Sequence, residues 1–352
     1  MIGADLLTDS FGRVLRDLRV SITDRCNFRC LYCLPETEAA HNFYRGHWAH
    51  MPNPAPILQQ WVPRSNILTF EEIERVVRLA VRLGIHKIRL TGGEPLLRHN
   101  VEDLVERIAR ISGVTDLAMT TNGFLFGQKG QALRRAGLGR LSFSLDSLDR
   151  NNFRRITGRD SLAEVLESIS FAQRLGFQPV KVNAVVIRDL NDHEIISLAE
   201  FAREHNLSLR FIEFMPLDSA RAWLKEMVVS ASEILSRLRR HFELTPVSSD
   251  NPSATAKRWA FPDGRGEIGI IAPVSEPFCG NCNRIRLTAD GKIRTCLFSV
   301  VEHDLRSNLR KGASDDELAA WLKLVVLQKE ARHHIGEPEF VPPSRSMSCI
   351  GG

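Results

Sequence analysis

No run of apolar residues in this 352-residue chain approaches the roughly 18 needed to cross a bilayer as a helix, so no membrane span is expected. The first ten residues, Met1 to Ser10, have neither a basic segment nor an apolar core, so no secretory leader is expected either. No long Lys/Arg run is present, although the net charge is +5 and the pI is near 8.9. That balance favours a pocket for one polyanionic small molecule over a nucleic-acid-binding face. The phosphate loop G-x4-G-K-[ST] is missing, so any nucleotide must be held without one. Cysteines number seven, an odd count that forms two clusters plus the single Cys349. This argues against a disulfide framework and for reduced thiols, with the cytoplasm as the expected location.

What is present reads as a globular protein. Apolar residues make up 43% and charged residues 25%, and the length suits one large domain or two unequal ones. The first cysteine cluster is Cys26-Asn27-Phe28-Arg29-Cys30-Leu31-Tyr32-Cys33, spaced C-x3-C-x2-C just after the alternating run Leu18 to Thr23. Positions i, i+4 and i+7 also share one helix face, and free cysteine is often simply buried. Asp24-Arg25 before the run, Pro35 after it and the closeness of three thiols favour a metal instead. Soft thiolates select iron–sulfur, zinc or copper(I) centres. Three of them can hold three corners of a [4Fe–4S] cube and leave the fourth iron open, whereas electron-carrying clusters take four cysteines.

From Thr69 onward helices and strands alternate. Helices are expected near 71–83, 101–111, 129–136, 161–175 and 193–205, with strands near 18–23, 87–91, 116–121, 140–145, 180–187 and 208–214. Thr69 with Glu72 forms a capping box for the first helix. Six strands joined by helical crossovers imply a parallel sheet, too few for a closed eight-fold barrel, so a partial barrel is expected. Along the strands, Arg19/Ser21/Thr23, Arg89/Thr91, Ser142/Ser144/Asp146, Lys181/Asn183 and Arg210 recur at period two opposite an apolar face. With helices covering the apolar face, four cations then line the interior, where branched aliphatics would otherwise sit. An anionic substrate is the natural occupant.

Beyond about residue 215 the alternation stops. Helices near 231–241 and 315–330 flank a hairpin over Arg258–Phe261 and Glu267–Ala272, and residues 1–17 read as a loose arm. Gly264-Arg265-Gly266-Glu267-Ile268-Gly269 spells G-x-G-x-x-G but precedes a strand and Pro273, so it is not a dinucleotide fingerprint. The second cluster, Cys279-Gly280-Asn281-Cys282 with Cys296, is spaced C-x2-C-x13-C. Alone it favours zinc, completed by His303 as a Cys3His site, slightly over iron–sulfur; beside a first three-cysteine motif, a second cluster with an open iron is favoured. Arg284 and Arg286 follow on one strand face, where guanidinium forks suit phosphate or carboxylate oxygens. His333-His334 reads as surface, and Cys349 as incidental.

The first cluster, with Tyr32 just before its third cysteine, followed by Gly92-Gly93-Glu94-Pro95, resembles the radical S-adenosylmethionine (SAM) enzymes. Taken with Thr120-Thr-Asn-Gly123, Ser144-Leu-Asp146, Lys181-Val-Asn183, Arg210 to Met215, Cys279 to Arg286, Asp290-Gly-Lys292 and the final Gly351-Gly352, the chain resembles the GTP 3′,8-cyclase family from about residue 17 to its end. The resemblance implies an α/β fold, an incomplete (βα)6 TIM-like barrel of the radical SAM type. Residues 1–17 would be an arm, 18–225 the barrel with a long insertion at 36–63, and 226–352 a smaller region closing the barrel. Cys26, Cys30 and Cys33 would bind one [4Fe–4S] cluster, and Tyr32, Gly92, Gly93, Glu94, Ser144 and Met215 would contact SAM. Cys279, Cys282 and Cys296 would bind a second [4Fe–4S] cluster whose open iron receives guanine. Arg19, Arg89, Thr120, Lys181, Arg284, Ile285 and Arg286 would hold GTP. The catalytic group would comprise Arg284, Arg286, Gly351 and Gly352. A deoxyadenosyl radical would take the ribose 3′ hydrogen, and the substrate radical would attack carbon 8 of guanine. The family further implies a homodimer, a product passed to cyclic pyranopterin monophosphate synthase, and neither nucleic acid nor membrane as partner. Two other readings predict different things: a radical SAM peptide maturase, for which no peptide-binding extension is evident, and a colourless zinc protein that binds nucleic acid.

Overall fold

The fold was obtained as a computed structural model that describes residues 6–34, 37, 38, 42, 61–217 and 223–351. Most of the 36–63 insertion and Gly352 therefore lie outside the described residues.

Period-two and period-3.6 patterns become one sheet covered by helices. In chain order the barrel part comprises β1 (Asp17–Ser21), α1 (Phe70–Arg82), β2 (Lys87–Thr91), α2 (Val101–Ala109), β3 (Asp116–Thr121), α3 (Phe126–Arg135) and β4 (Arg140–Ser144). It continues with α4 (Arg150–Thr157), α5 (Leu162–Arg174), β5 (Lys181–Val186), α6 (Ile195–Glu204) and β6 (Ser208–Glu213). α1 shows the logic. Thr69 accepts from the Glu72 N–H at 3.2 Å and the Glu72 carboxylate accepts from the Thr69 N–H at 2.8 Å, a cap worth about 1 kcal/mol. Its apolar stripe, Ile73, Val76, Val77 and Ala80, is buried against the sheet, at about 1.5–3 kcal/mol for each of the larger side chains. The α4 helix was not foreseen because Arg150–Thr157 is mostly polar. Its signals are the Asp149 carboxylate, which accepts from the Asn152 N–H at 2.7 Å, and Gly158 at φ +70° as C-cap.

Strands β1 to β6 pair in sequence order and in parallel, as the helical crossovers require. After α7 (Ala231–Arg239), the remaining chain adds strands to both edges: β7 (Thr245–Val247), β8 (Ala256–Ala260), β9 (Glu267–Ile271), β10 (Arg284–Leu287), β11 (Lys292–Arg294) and β12 (His303–Asp304). The order is β12-β11-β10-β1-β2-β3-β4-β5-β6-β9-β8-β7, a single open twelve-stranded sheet. β10 joins β1 in parallel and β9 joins β6 in parallel, so parallel pairing continues beyond the six barrel strands. Opposite wings of the sheet meet where Arg284 on β10 donates to the Ser253 carbonyl just before β8, at 3.3 Å. Gly264 and Gly266, both at φ +69°, belong to the β8–β9 hairpin turn and not to a nucleotide loop. Finally α8 (Leu305–Arg310), α9 (Asp315–Leu327) and α10 (Met347–Ile350) complete the fold.

Residues 6–16 correct the expectation of a loose arm. Leu7 and Leu15 are fully buried, and the Leu7 N–H donates to Leu83 O at 2.9 Å. Two apolar residues eight positions apart give no periodic signal, which is why the sequence hid them.

Candidate active site

Parallel register brings the polar face of each strand into rows across the barrel. Arg286, Arg19 and Arg89 stand side by side on β10, β1 and β2, Thr120 stands opposite Ser142, and Asn183 opposite Arg210. Arg89 donates to the Thr120 and Ser142 hydroxyls, both at 3.3 Å. A cavity of about 200 Å³ is lined by Arg19, Arg89, Arg210, Arg284 and Arg286 together with Cys279, Cys282, Cys296 and Met215. A second cavity of about 660 Å³ shares Arg19, Arg89, Arg210 and Arg284 and opens at the N-terminal ends of the strands, where Lys87, Arg140, Lys181 and Arg258 join them. Among the described residues lining it, only Asp17 and Glu267 oppose these eight cations.

Crowded and buried, these cations want an anion. Burial lowers the Arg19, Arg89 and Arg210 guanidiniums to about 10 and, with Arg210, Arg140 and Arg89 adding to it, brings the Lys181 ammonium down to about 7. Among the described residues, buried nitrogens of Arg19, Arg210 and Arg284 have no hydrogen-bond partner. Leaving such donors unsatisfied costs about 1–3 kcal/mol each, which a polyanion would recover. Ile285 does not join them: its side chain turns into the core on the other face of β10, because strand neighbours alternate.

At the C-terminal ends of the strands, the loop after β1 carries Cys26, Cys30 and Cys33, all half-buried and free of disulfides. Burial raises the Cys26 thiol to about 11, the Cys33 thiol to about 12 and the Cys30 thiol well above its ordinary value. Three thiols held this way favour their neutral forms unless a metal supplies positive charge. The Gly92-Gly93 turn is laced to the backbone leading into that loop: the Gly93 N–H donates to Thr23 O and the Glu94 N–H to Arg25 O, both at 2.8 Å. A Cβ at Gly93 would collide with the Arg25 carbonyl, so glycine is obligatory there. Glu94, expected to contact SAM, spends its buried carboxylate on the fold. It accepts from the Thr121 hydroxyl and the Asn122 N–H at 2.7 Å and from the Leu96 N–H at 3.0 Å. The Tyr32 hydroxyl donates to Asp146 at 2.6 Å, and Asp146 also accepts from the Val185 N–H at 2.8 Å, which ties the cysteine loop to β4 and β5. Ser144 ends β4 at the same rim.

The chain's last described turn enters between these two regions. Gly351, buried at φ +77°, packs against Thr91 and Ser21, and its carbonyl accepts from Arg286, which is only 5% exposed. Just before it, Ser348 donates through its N–H and hydroxyl to the Cys33 thiol, and Met347 lines the cavity beside the second cysteine set. Cys349 is buried there rather than exposed.

Around the second set, Cys282 is pulled down to about 7: burial raises it, but the nearby Arg284 and Lys329 outweigh that. Arg284 reaches the same thiol through both its N–H and its guanidinium. The His333 N–H donates to Cys279, so His333 belongs to the cavity wall and not to the surface; His334 is exposed and bonds Glu337. Arg13, from the N-terminal segment, donates to the carbonyls of Cys279 at 2.8 Å, Ala331 at 2.9 Å and Glu330 at 2.6 Å. His303 sits on β12 opposite Ile293 and lines neither cavity, so the Cys3His zinc arrangement is not assembled. The donor chemistry on both sides suits thiolate-bound clusters with one position left open to a ligand.

Comparison with known proteins agrees with this geometry. Residues 20–202 match the family described as the radical SAM superfamily, and residues 207–335 the family described as Molybdenum Cofactor Synthesis C. A GTP 3′,8-cyclase of Rhodopirellula baltica is 47% identical over 350 residues, covering 98% of this chain and 92% of its own. The Streptomyces coelicolor protein of the same name is 44% identical over 352 residues, covering 99% of this chain and 97% of its own. The crystal structure of Streptococcus suis SuiB bound to S-adenosylmethionine superposes with a TM-score of 0.56 at 13% identity, covering 90% of this chain and 69% of that one, a likeness of fold.

Proposed function

Because the chain belongs to the GTP 3′,8-cyclase family of radical SAM enzymes, we propose that its basic barrel holds GTP between the two cysteine sets. The enzyme catalyses the first step of molybdenum cofactor biosynthesis, and its cofactors are SAM and two [4Fe–4S] clusters. The observation that carries the substrate assignment is the single cavity wall shared by five arginines and Cys279, Cys282 and Cys296. Lys181, Arg210, Arg19 and Arg89 would take the triphosphate, whose bidentate oxygens match guanidinium forks. Arg284 and Arg286 would face the ribose and base beside the second cluster. Cys26, Cys30 and Cys33 would hold the first cluster, with SAM against Tyr32, Gly92, Gly93, Ser144 and Met215. Glu94 is a positioning residue. When bound, the first cluster and SAM together supply the radical that removes the ribose 3′ hydrogen. The chain's own contribution would be to orient the ribose, neutralise the phosphates with the barrel cations and close the site with the tail at Gly351. Residues 18–225 would serve SAM, and 226–352 the second cluster. A cytoplasmic homodimer handing its product to cyclic pyranopterin monophosphate synthase completes the reading; among the described residues no helix is long and apolar enough to cross a membrane.

The deciding experiment is anaerobic reconstitution followed by incubation with SAM, reductant and GTP. About eight irons per chain and GTP-dependent 5′-deoxyadenosine are expected. One zinc, little iron and no SAM cleavage would overturn the reading.

Lys181 gives a pH signature. Its ammonium is brought to about 7 in the free protein, and a bound triphosphate would raise it again. Below pH 7 the group is already charged; above it, binding must take up a proton. GTP affinity should therefore weaken as pH rises from 7 to 8.5, with proton uptake seen by calorimetry in buffers of different ionisation enthalpy. Lys181→Arg should flatten that part of the profile, and an unchanged profile would refute the assignment.

A further inference from the structure

The wall behind the second cysteine set is built by residues just past α9. That helix, expected to run to 330, ends at Leu327, and the following turn brings Lys329 inside, where it is 3% exposed. Its ammonium donates to the Arg284 carbonyl at 3.0 Å and to the Thr295 carbonyl. Those carbonyls belong to the two segments that carry the cysteines: Arg284 is two residues past Cys282, and Thr295 immediately precedes Cys296. The acid next to it, Glu330, uses one carboxylate oxygen to accept from the Thr295 hydroxyl at 2.7 Å. Both of the Lys329 partners are therefore neutral. The field of Lys329 favours the thiolate at all three of Cys279, Cys282 and Cys296, the only side chain among the causes of those shifts to act that way on every one. Arg284 contributes at Cys282 and Arg13 at Cys279.

A buried ammonium whose hydrogen-bond acceptors are both neutral carbonyls is costly, so its place favours a compensating anion. A four-iron core held by three thiolates is anionic overall and would be that anion. We propose that Lys329 is the buried counter-cation of the second cluster: it ties the two ligand-bearing segments together and sets the cluster's reduction potential. Potentials of such clusters follow net charge, hydrogen bonding and exposure, and a nearby cation stabilises the reduced, more negative state. Lys329 is thus a positioning residue, and the inference rests on the reading that these cysteines hold a cluster.

The test uses the full chain with Cys26, Cys30 and Cys33 replaced by alanine, so that only the second cluster contributes. Anaerobically reconstituted protein is titrated with reductant and followed by electron paramagnetic resonance, alongside iron analysis. Lys329→Gln keeps hydrogen-bond donors but loses the charge; Lys329→Arg keeps both; Lys329→Met keeps neither. The expected result is about four irons per chain in the parent, Arg and Gln proteins. The midpoint potential should move to more negative values in Gln and stay near the parent value in Arg. Met should also lose iron, because nothing then joins the Cys282 and Cys296 segments. An unchanged midpoint in Gln would overturn the charge role. Loss of iron from the Gln and Arg proteins alike, with folding intact by circular dichroism, would overturn the proposal as a whole. A parent chain that takes up no iron would instead remove the cluster reading itself, an outcome distinguishable from the other two.

Discussion

Replacing Cys26, Cys30 and Cys33 together by serine should leave a folded protein that no longer cleaves SAM. The three thiols share one short loop, and Cys26 and Cys30 only edge the core, so serine, nearly the same size, removes little packing. What it removes is the soft thiolate: a buried hydroxyl stays protonated and has no affinity for iron–sulfur units. Iron should fall from about eight to about four per chain, because Cys279, Cys282 and Cys296 lie on separate elements and keep their partners. Formation of 5′-deoxyadenosine should drop at least ~10³-fold, about 4 kcal/mol at 1.36 kcal/mol per tenfold. Iron analysis, circular dichroism and chromatography of the nucleoside product read the three effects separately. Cleavage at even a tenth of the parent rate would mean that the radical is generated elsewhere.

The second large effect should come from Gly351→Ala. A Cβ at this position would lie 2.7 Å from the Thr91 hydroxyl and 2.9 Å from the Ser21 Cβ, both on paired strand ends that cannot retreat. Alanine at φ +77° adds about 1–3 kcal/mol of backbone strain. Pushing the tail out also strips Arg286 of its carbonyl acceptor, and a charged donor left buried loses about 1.5–3 kcal/mol. The strain alone is worth roughly 10–10²-fold in the population of the assembled site, and the clash with Thr91 and Ser21 adds to it. Cyclised nucleotide should fall by that factor while 5′-deoxyadenosine falls less, since the first cysteine loop stays in place. Equal losses of both products would instead mean that the tail serves SAM cleavage alone, and no loss would remove the tail from the site.

Much of this architecture is legible in the residues, for identifiable reasons. β2 occupies its expected position because it alternates, β3 because its short apolar run Leu117–Met119 sits between helical segments, and α1 starts where its capping box says. The arginine rows were readable as period-two polarity, since a cation on an otherwise apolar strand has nowhere to go but a lumen. Pairings such as Asp17 with Arg284 were not readable, because no local pattern records which distant strand covers an edge. The same limit hid Arg13 and Lys329: each looks like a surface cation in its own segment, and only the fold turns it towards backbone carbonyls 34 or more residues away in the chain. Glu94 shows the opposite limit. The motif around it is chemically informative, but its carboxylate satisfies backbone and hydroxyl donors behind the turn.

The placement of β10 beside β1 has a consequence for how the protein is made. Asp17 must wait for Arg284, 267 positions later by simple subtraction, before its second neighbour exists. At ribosomal speeds of about 5–20 residues per second, that interval is roughly 15–50 s. Throughout it the nascent chain presents a bare strand edge next to the newly emerged Cys26 loop, and exposed edges invite foreign pairing. β6 finds β9 much sooner, since Ser208 pairs with Glu267 only 59 positions on. The vulnerable moment in this protein's life thus falls on one side of the sheet, the side that carries the first cysteine set.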